Sequence, residues 1–259
     1  MTFAAILAAF LPFSAQVTPE IRTTYLSLGK IVEDRPMQIT SVKAYFGLGD
    51  FGKIGFRNWD VSSLTPRRGD VHRRALYHTE YGPSWQHGLD IADDWRLNSE
   101  LNCSWTVYRG FENTDSNKTY WWWQIEQSLA NPYLTPYYVL RRCVSGSDYL
   151  YCRLGVRRSF PIWSSLSITP ALAIDGGSNR NQVRVFGRQA DGSSVGTGFY
   201  TISPRLELSW KFTGNFTAFI FIEQYEVLGH SAREANRNLN YRCAHNDWTH
   251  GGIGLRCSF

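Results

Sequence analysis

Past its first fifteen residues the chain has no apolar run approaching the roughly 20 residues that a spanning helix needs. A helical membrane protein is excluded. Charge is sparse as well: Asp, Glu, Lys and Arg together make up 19%, against about a quarter in ordinary soluble domains. Neither CxxC nor HExxH spacing occurs, so no metal site and no cofactor is implied. Cysteine is limited to five residues, an odd number that cannot form a complete set of disulfides. Cys103, Cys152 and Cys257 fall on the apolar parity of their segments, where a thiol serves as a small hydrophobe. Cys143 and Cys243 fall near expected loops, and spacing alone does not say whether they pair.

What the chain has instead is aromatic: 10 Trp, 14 Tyr and 15 Phe in 259 residues. Mean hydropathy nevertheless stays at -0.32. A membrane β-barrel reconciles the two, because each strand hides its apolar residues at alternate positions. The net charge is +5. Its basic residues are scattered through strand-like segments rather than gathered in a patch, so nucleic acid is not an expected partner.

The last stretch, residues 247–259, is informative. Ile253, Leu255, Cys257 and Phe259 share one face of an extended chain; Gly252, Gly254, Arg256 and Ser258 share the other. Period-two alternation marks a strand with one apolar face. A soluble sandwich could end on such a strand too. The tail resembles the closing strand of Gram-negative outer-membrane β-barrels, in which a terminal aromatic strand closes on the first. That resemblance implies an assembly signal in Ile253, Leu255, Cys257 and Phe259, with outer-membrane lipid and the barrel-assembly machinery as partners.

Strand lengths and connections separate the sandwich from the barrel. Leu97–Tyr108 alternates most cleanly, with Leu97, Leu101, Cys103, Trp105 and Val107 against Asn98, Glu100, Asn102, Ser104 and Thr106. Twelve strands are expected near 20–32, 40–48, 53–62, 73–87, 96–109, 120–129, 133–143, 149–160, 165–175, 199–212, 216–228 and 247–259. Most reach the nine residues or so that a tilted membrane strand requires. Connections after even strands are tight, at 49–52, 130–132, 161–164 and 213–215, with a somewhat longer turn near 89–95. Those after odd strands are mostly longer and polar: 33–38, 63–72, 110–119, 176–198 and 229–246, with 144–148 a short exception. Short turns alternating with long loops are a barrel pattern; a sandwich has no reason to alternate this way. Aromatic residues gather at strand ends, as at Trp121, Trp123, Tyr133, Phe160, Trp163, Trp210 and Phe212, where interface girdles sit.

Residues 20–259 resemble the broad class of mid-sized outer-membrane β-barrels, and Tyr25–Asp60 resembles the opening of uncharacterised porin-like proteins. The expected fold class is all-β: one transmembrane antiparallel barrel of about twelve strands, in the outer membrane of a Gram-negative bacterium. Residues 1–17 read as a secretory leader with an apolar core at Phe3–Phe13 and Ala15 near a cleavage point, leaving 18–259 as the barrel domain. The leader lacks a basic start, and Phe13 is a poor residue two before the cut.

Three functions remain. The first is a narrow porin-like channel for small solutes. Its expected lining is Arg141, Arg153, Arg157, Arg205, Lys211 and Arg256 with the acids Glu100, Glu126 and Glu207. Base outweighing acid in a pore favours anions weakly. In Phe216–Val227 both parities are apolar, and only Gln224 and Glu226 mark an inward face. The second function is an enzyme acting on lipid or peptide at the rim. Lipid-acting barrels resemble one another in a His with a Ser two residues on; here His230 and Ser231 are adjacent, and an extended backbone would point them apart. His78 and Glu80 share a strand face and could exchange a proton, but polar lining explains them as well. No residue is therefore assigned as catalytic. The third is a structural or adhesion barrel. The sequon Asn117-Lys118-Thr119 carries no meaning in a bacterial loop.

Overall fold

The computed structural model describes residues 12–27, 30–33, 35–65, 77–109, 119–145, 148–238 and 245–259. Twelve antiparallel strands form the wall. They are β1 (Phe13–Arg22), β2 (Met37–Gly47), β3 (Lys53–Ser63), β4 (Tyr77–Ala92), β5 (Trp95–Arg109), β6 (Thr119–Ala130), β7 (Thr135–Cys143), β8 (Leu150–Arg157), β9 (Leu166–Gly177), β10 (Gly198–Lys211), β11 (Phe216–Val227) and β12 (Asp247–Ser258). Each pairs with its neighbours in this order, and β12 returns to β1 with Val17 opposite Cys257 and Ile21 opposite Ile253. The closing rung joins Ala15 to Phe259, whose backbone groups exchange hydrogen bonds of 2.9 and 2.8 Å. A closed sheet satisfies its ladder groups without water, which is what a hydrocarbon interior demands. Among the described residues no helix is long and apolar enough to cross a membrane.

Side-chain alternation builds the wall's two faces. In β1, Phe13, Ala15, Val17, Pro19 and Ile21 point out, while Ser14, Gln16, Thr18, Glu20 and Arg22 point in. The registers carry this parity around the barrel: inward Glu20 opposes Ile39, Ile39 opposes Val61, and Val61 opposes His78. Outward Ile220, Ile222 and Ile253 are all more than half exposed, whereas inward Ile39, Val61 and His78 are buried. Such a surface fits lipid outside and a polar, partly filled interior.

One rim carries the start of β1, the end of β12 and the tight turns, including the 3-10 turn Gly49–Phe51 and the two-residue turn Asp93–Asp94. The other carries the loops. Two of these hold helices, α1 (Asn179–Phe186) and α2 (His230–Asn238), and the first holds a small strand pair, Tyr25–Ser27 with Lys30–Glu33.

Several expectations need correcting. The first strand runs over residues 13–22, not 20–32, and so takes in Phe13–Val17. The expected turn near 89–95 shrinks to Asp93–Asp94, because β4 continues to Ala92 and Asp94 adopts φ 62°. The strand expected at 149–160 breaks after Arg157, and only Phe160–Pro161 resume pairing with β9. In β11 the inward face is the odd one. Phe219, Phe221 and Tyr225 are buried, while Gln224 and Glu226 point outward at the loop rim, hydrogen-bonded to Thr249 and Arg233. Being polar did not make them inward, because they lie beyond the apolar belt.

Candidate functional site along the inner wall

The interior is a charged wall knitted by ion pairs between strands. On one side, Lys43 of β2 donates to Glu100 of β5 at 2.9 Å, and Arg57 of β3 lies 3.6 Å from the same carboxylate. Gln86 and Asn102 also donate to Glu100, at 2.8 and 3.0 Å. Higher on this side, Arg141 of β7 reaches Glu80 of β4 at 2.7 Å and packs on the Trp122 ring. On the next strands, Arg153 of β8 is held by Asp175 of β9 at 2.6 and 3.1 Å, and Tyr151 donates to the same carboxylate. Glu207 of β10 accepts from Arg205 at 2.8 Å and from Arg256 of β12 at 2.7 Å. Arg205 also lies 3.5 Å from Glu223 of β11.

The last strand supplies space for this cluster. Inward Gly252 and Gly254 oppose Phe221 and Phe219. A Cβ at Gly254 would lie 2.5 Å from the Phe219 ring, and one at Gly252 would lie 2.7 Å from the Phe221 ring. The rings fold flat over the two glycines and carry guanidinium groups on their faces: Arg205 sits 3.7 Å from the Phe221 centroid and Arg256 4.2 Å from that of Phe219. Glycine here serves close approach, and the stacked arginine gains a cation–π contact.

All nine residues expected in the lining lie on the inward parity: Glu100, Glu126, Arg141, Arg153, Arg157, Arg205, Glu207, Lys211 and Arg256. They do not form one array. Glu100, Arg141, Arg153, Arg205, Glu207 and Arg256 are in ion pairs. Arg157, Lys211 and Glu126 have no ion-pair partner among the described residues, and Arg157 instead lies over the Tyr137 ring at 5.4 Å. Inward Glu20, Arg22, Lys43, Arg57, Asp175 and Glu223 were not read from the sequence, whereas Glu80 was read as polar lining together with His78. Glu20 and Arg22 were hidden by the misplaced first strand, and Glu223 by the reversed parity of β11. At the end of the chain, Ile253, Leu255, Cys257 and Phe259 share the outward parity, with Phe259 63% exposed beside Phe216.

The interior differs at its two ends. At the turn rim a polar cavity of about 950 Å³ opens among Lys53, Gln86, Asn98, Glu100 and Glu126. At the loop rim the space is filled. Val185 and Phe186 of α1 pack with Ala232 and Ala235 of α2 against the wall residues Tyr225 and Val227. Arg184 of α1 lies 5.4 Å from the ring centroid of Tyr120 on β6 and 4.9 Å from that of Tyr149 beside β8.

The residues weighed for catalysis sit apart. His78 contacts Glu80 at 3.0 Å, buried beside Arg141. His230 and Ser231 begin α2, where the His230 side chain is exposed and 3.8 Å from Glu234. Cys143 donates its thiol to the Ser145 carbonyl at 3.0 Å; Cys243 lies outside the described residues, as do Asn117 and Lys118 of the sequon. Among the described residues no His, Cys, Asp and Glu group could hold a metal ion.

No protein-family model matches the chain, and no curated protein matches its sequence. Solved structures do match. An outer-membrane channel from Pseudomonas putida F1 aligns over 95% of this chain and 95% of its own, at TM-score 0.59 and 10% identity. The KdgM porin, solved with disordered oligogalacturonate, aligns over 95% of this chain and 99% of its own, at TM-score 0.50 and 11% identity. The NanC porin aligns over 94% and 98%, at TM-score 0.49 and 12% identity. The chain thus has the closed-barrel fold of outer-membrane porins.

Proposed function

We propose that this barrel sits in a Gram-negative outer membrane, turn rim towards the periplasm, and conducts small solutes through a narrow lumen with a weak preference for anions. The supporting observation is the balance of inward charges left over by the ion pairs. Every inward carboxylate of the clusters is matched by a cation, whereas Lys53, Arg157 and Lys211 have no carboxylate in ion-pair distance among the described residues. Glu126 is the unmatched acid on the same half. Uncompensated fixed charge in a low-dielectric passage acts on permeating ions more strongly than matched pairs do. Arg153 contributes little to that surplus, since Asp175 neutralises it.

The test is reversal potential in a salt gradient across a planar bilayer. The wild type should favour anions. Arg157→Ala combined with Lys211→Ala should move the reversal potential towards zero, and Arg153→Ala alone should move it less. A cation-selective wild type, or a double variant with unchanged selectivity, sinks the reading.

A further inference from the structure

The larger of the two buried apolar clusters among the described residues lies at the loop rim, where it joins the loop helices to the wall. Val185 and Phe186 of α1 and Ala232 and Ala235 of α2 are all buried, packed with Tyr225 and Val227 and with partly buried Leu26, Val195, Tyr200 and Trp248. Burial of these side chains holds the two helices to each other and to the wall, and separating them would expose apolar surface to water. The two helices also reach different walls. Arg233 of α2 is tied to Glu226 and to the Val227 carbonyl of β11, at 2.5 and 2.7 Å. In α1, Gln182 donates to the Gly198 carbonyl at 3.0 Å, and Arg184 lies over the rings of Tyr120 on β6 and of Tyr149 beside β8. Glycines in the left-handed region flank both helices: Gly187 ends α1 with φ 80°, and Gly229 precedes α2 with φ 79°. Such positions can absorb a rotation of the segment they adjoin.

We propose that α1 and α2 together form a two-part gate closing the outer mouth, held shut by their shared apolar contact, and that a conducting state requires them to separate. This rests on the channel reading for its purpose, but not for its geometry. A bound solute or an applied voltage would shift the equilibrium only through a difference in its interaction with the two states.

The experiment uses the full chain in outer membranes and in bilayers, comparing the parent with Val185→Ser combined with Phe186→Ser. A membrane-impermeant maleimide is added to intact cells carrying Ser203→Cys, a buried inward site on β10 level with Tyr225. Labelling of this cysteine should rise at least about tenfold when the two serines loosen the contact, while heat-modifiable migration remains that of a folded barrel. A second background, Val185→Leu, should stay protected. Equal labelling of parent and serine variant overturns the gate. In bilayers the serine variant should spend a larger fraction of time open. If labelling rises and every variant remains electrically silent, the gate stands and the channel reading falls.

Discussion

At the residue scale, the interior illustrates how little of a charge's role follows from its position alone. Arg153 and Arg157 are two residues apart on one face of β8, yet Arg153 is clamped by Asp175 while Arg157 rests on Tyr137. Glu207 offers a direct test, because it alone serves both Arg205 and Arg256. Changing Glu207→Gln should leave Arg256 without its carboxylate and cost about 1–3 kcal/mol of stability, the usual penalty for stranding a partner. Thermal unfolding in detergent should show the loss, and reversal potential should show stronger anion preference. An unchanged melting temperature and an unchanged selectivity together would mean that this pair is too well hydrated to matter. Sidedness was legible in the sequence at such residues, since alternation reports which face a side chain takes. Pairing was not, because Lys43 and Glu100 lie three strands apart and no local pattern links them. The glycines of the last strand were equally opaque: Gly252 and Gly254 look like weak strand positions until the facing rings of Phe219 and Phe221 are placed over them.

At the element scale, the seam between β1 and β12 concentrates the informative and misleading signals. Phe259 exchanges hydrogen bonds with Ala15, and its exposed ring meets Phe216 edge-on. Deleting Phe259 should therefore reduce the amount of barrel assembled in the outer membrane by several-fold while leaving synthesis unchanged, measured by fractionation and heat-modifiable migration. Assembly at wild-type level would remove its assignment as an assembly signal. The partner strand was misread because the residues from Phe13 to Val17 satisfy two patterns at once, an apolar leader end and the outward face of a strand. We predict that intact mass of the assembled protein will place its first residue at or before Phe13, which leaves every β1 rung intact. A chain beginning after Ala15 would instead leave Phe259 without its closing rung. Helices α1 and α2 were invisible in the sequence for a different reason. Each is under ten residues, too short to be stable without tertiary contacts, and each owes its existence to the barrel mouth it packs against.

At the scale of the whole molecule, strand count, turn alternation and the outward apolar belt were legible because they repeat. Twelve chances to see one pattern outweigh errors in any single strand. The two ends of the lumen could not be told apart in this way, since the difference lies in three-dimensional packing. That difference has an electrical consequence. Lys53, Arg157 and Lys211 stand at the ends of their strands on a single rim, Lys53 lining the 950 Å³ cavity, while the two helices pack at the opposite rim. A conduit with its surplus fixed charge at one orifice behaves as a diode: one polarity of voltage fills the charged end with counter-ions, and the other depletes it. Current through this protein should be larger in one direction at low salt. The ratio of currents at opposite voltages should approach one as salt is raised to about 1 M, where the screening length contracts to about 3 Å. Symmetric currents at low salt would place those three cations outside the permeation path, whatever their place on the wall.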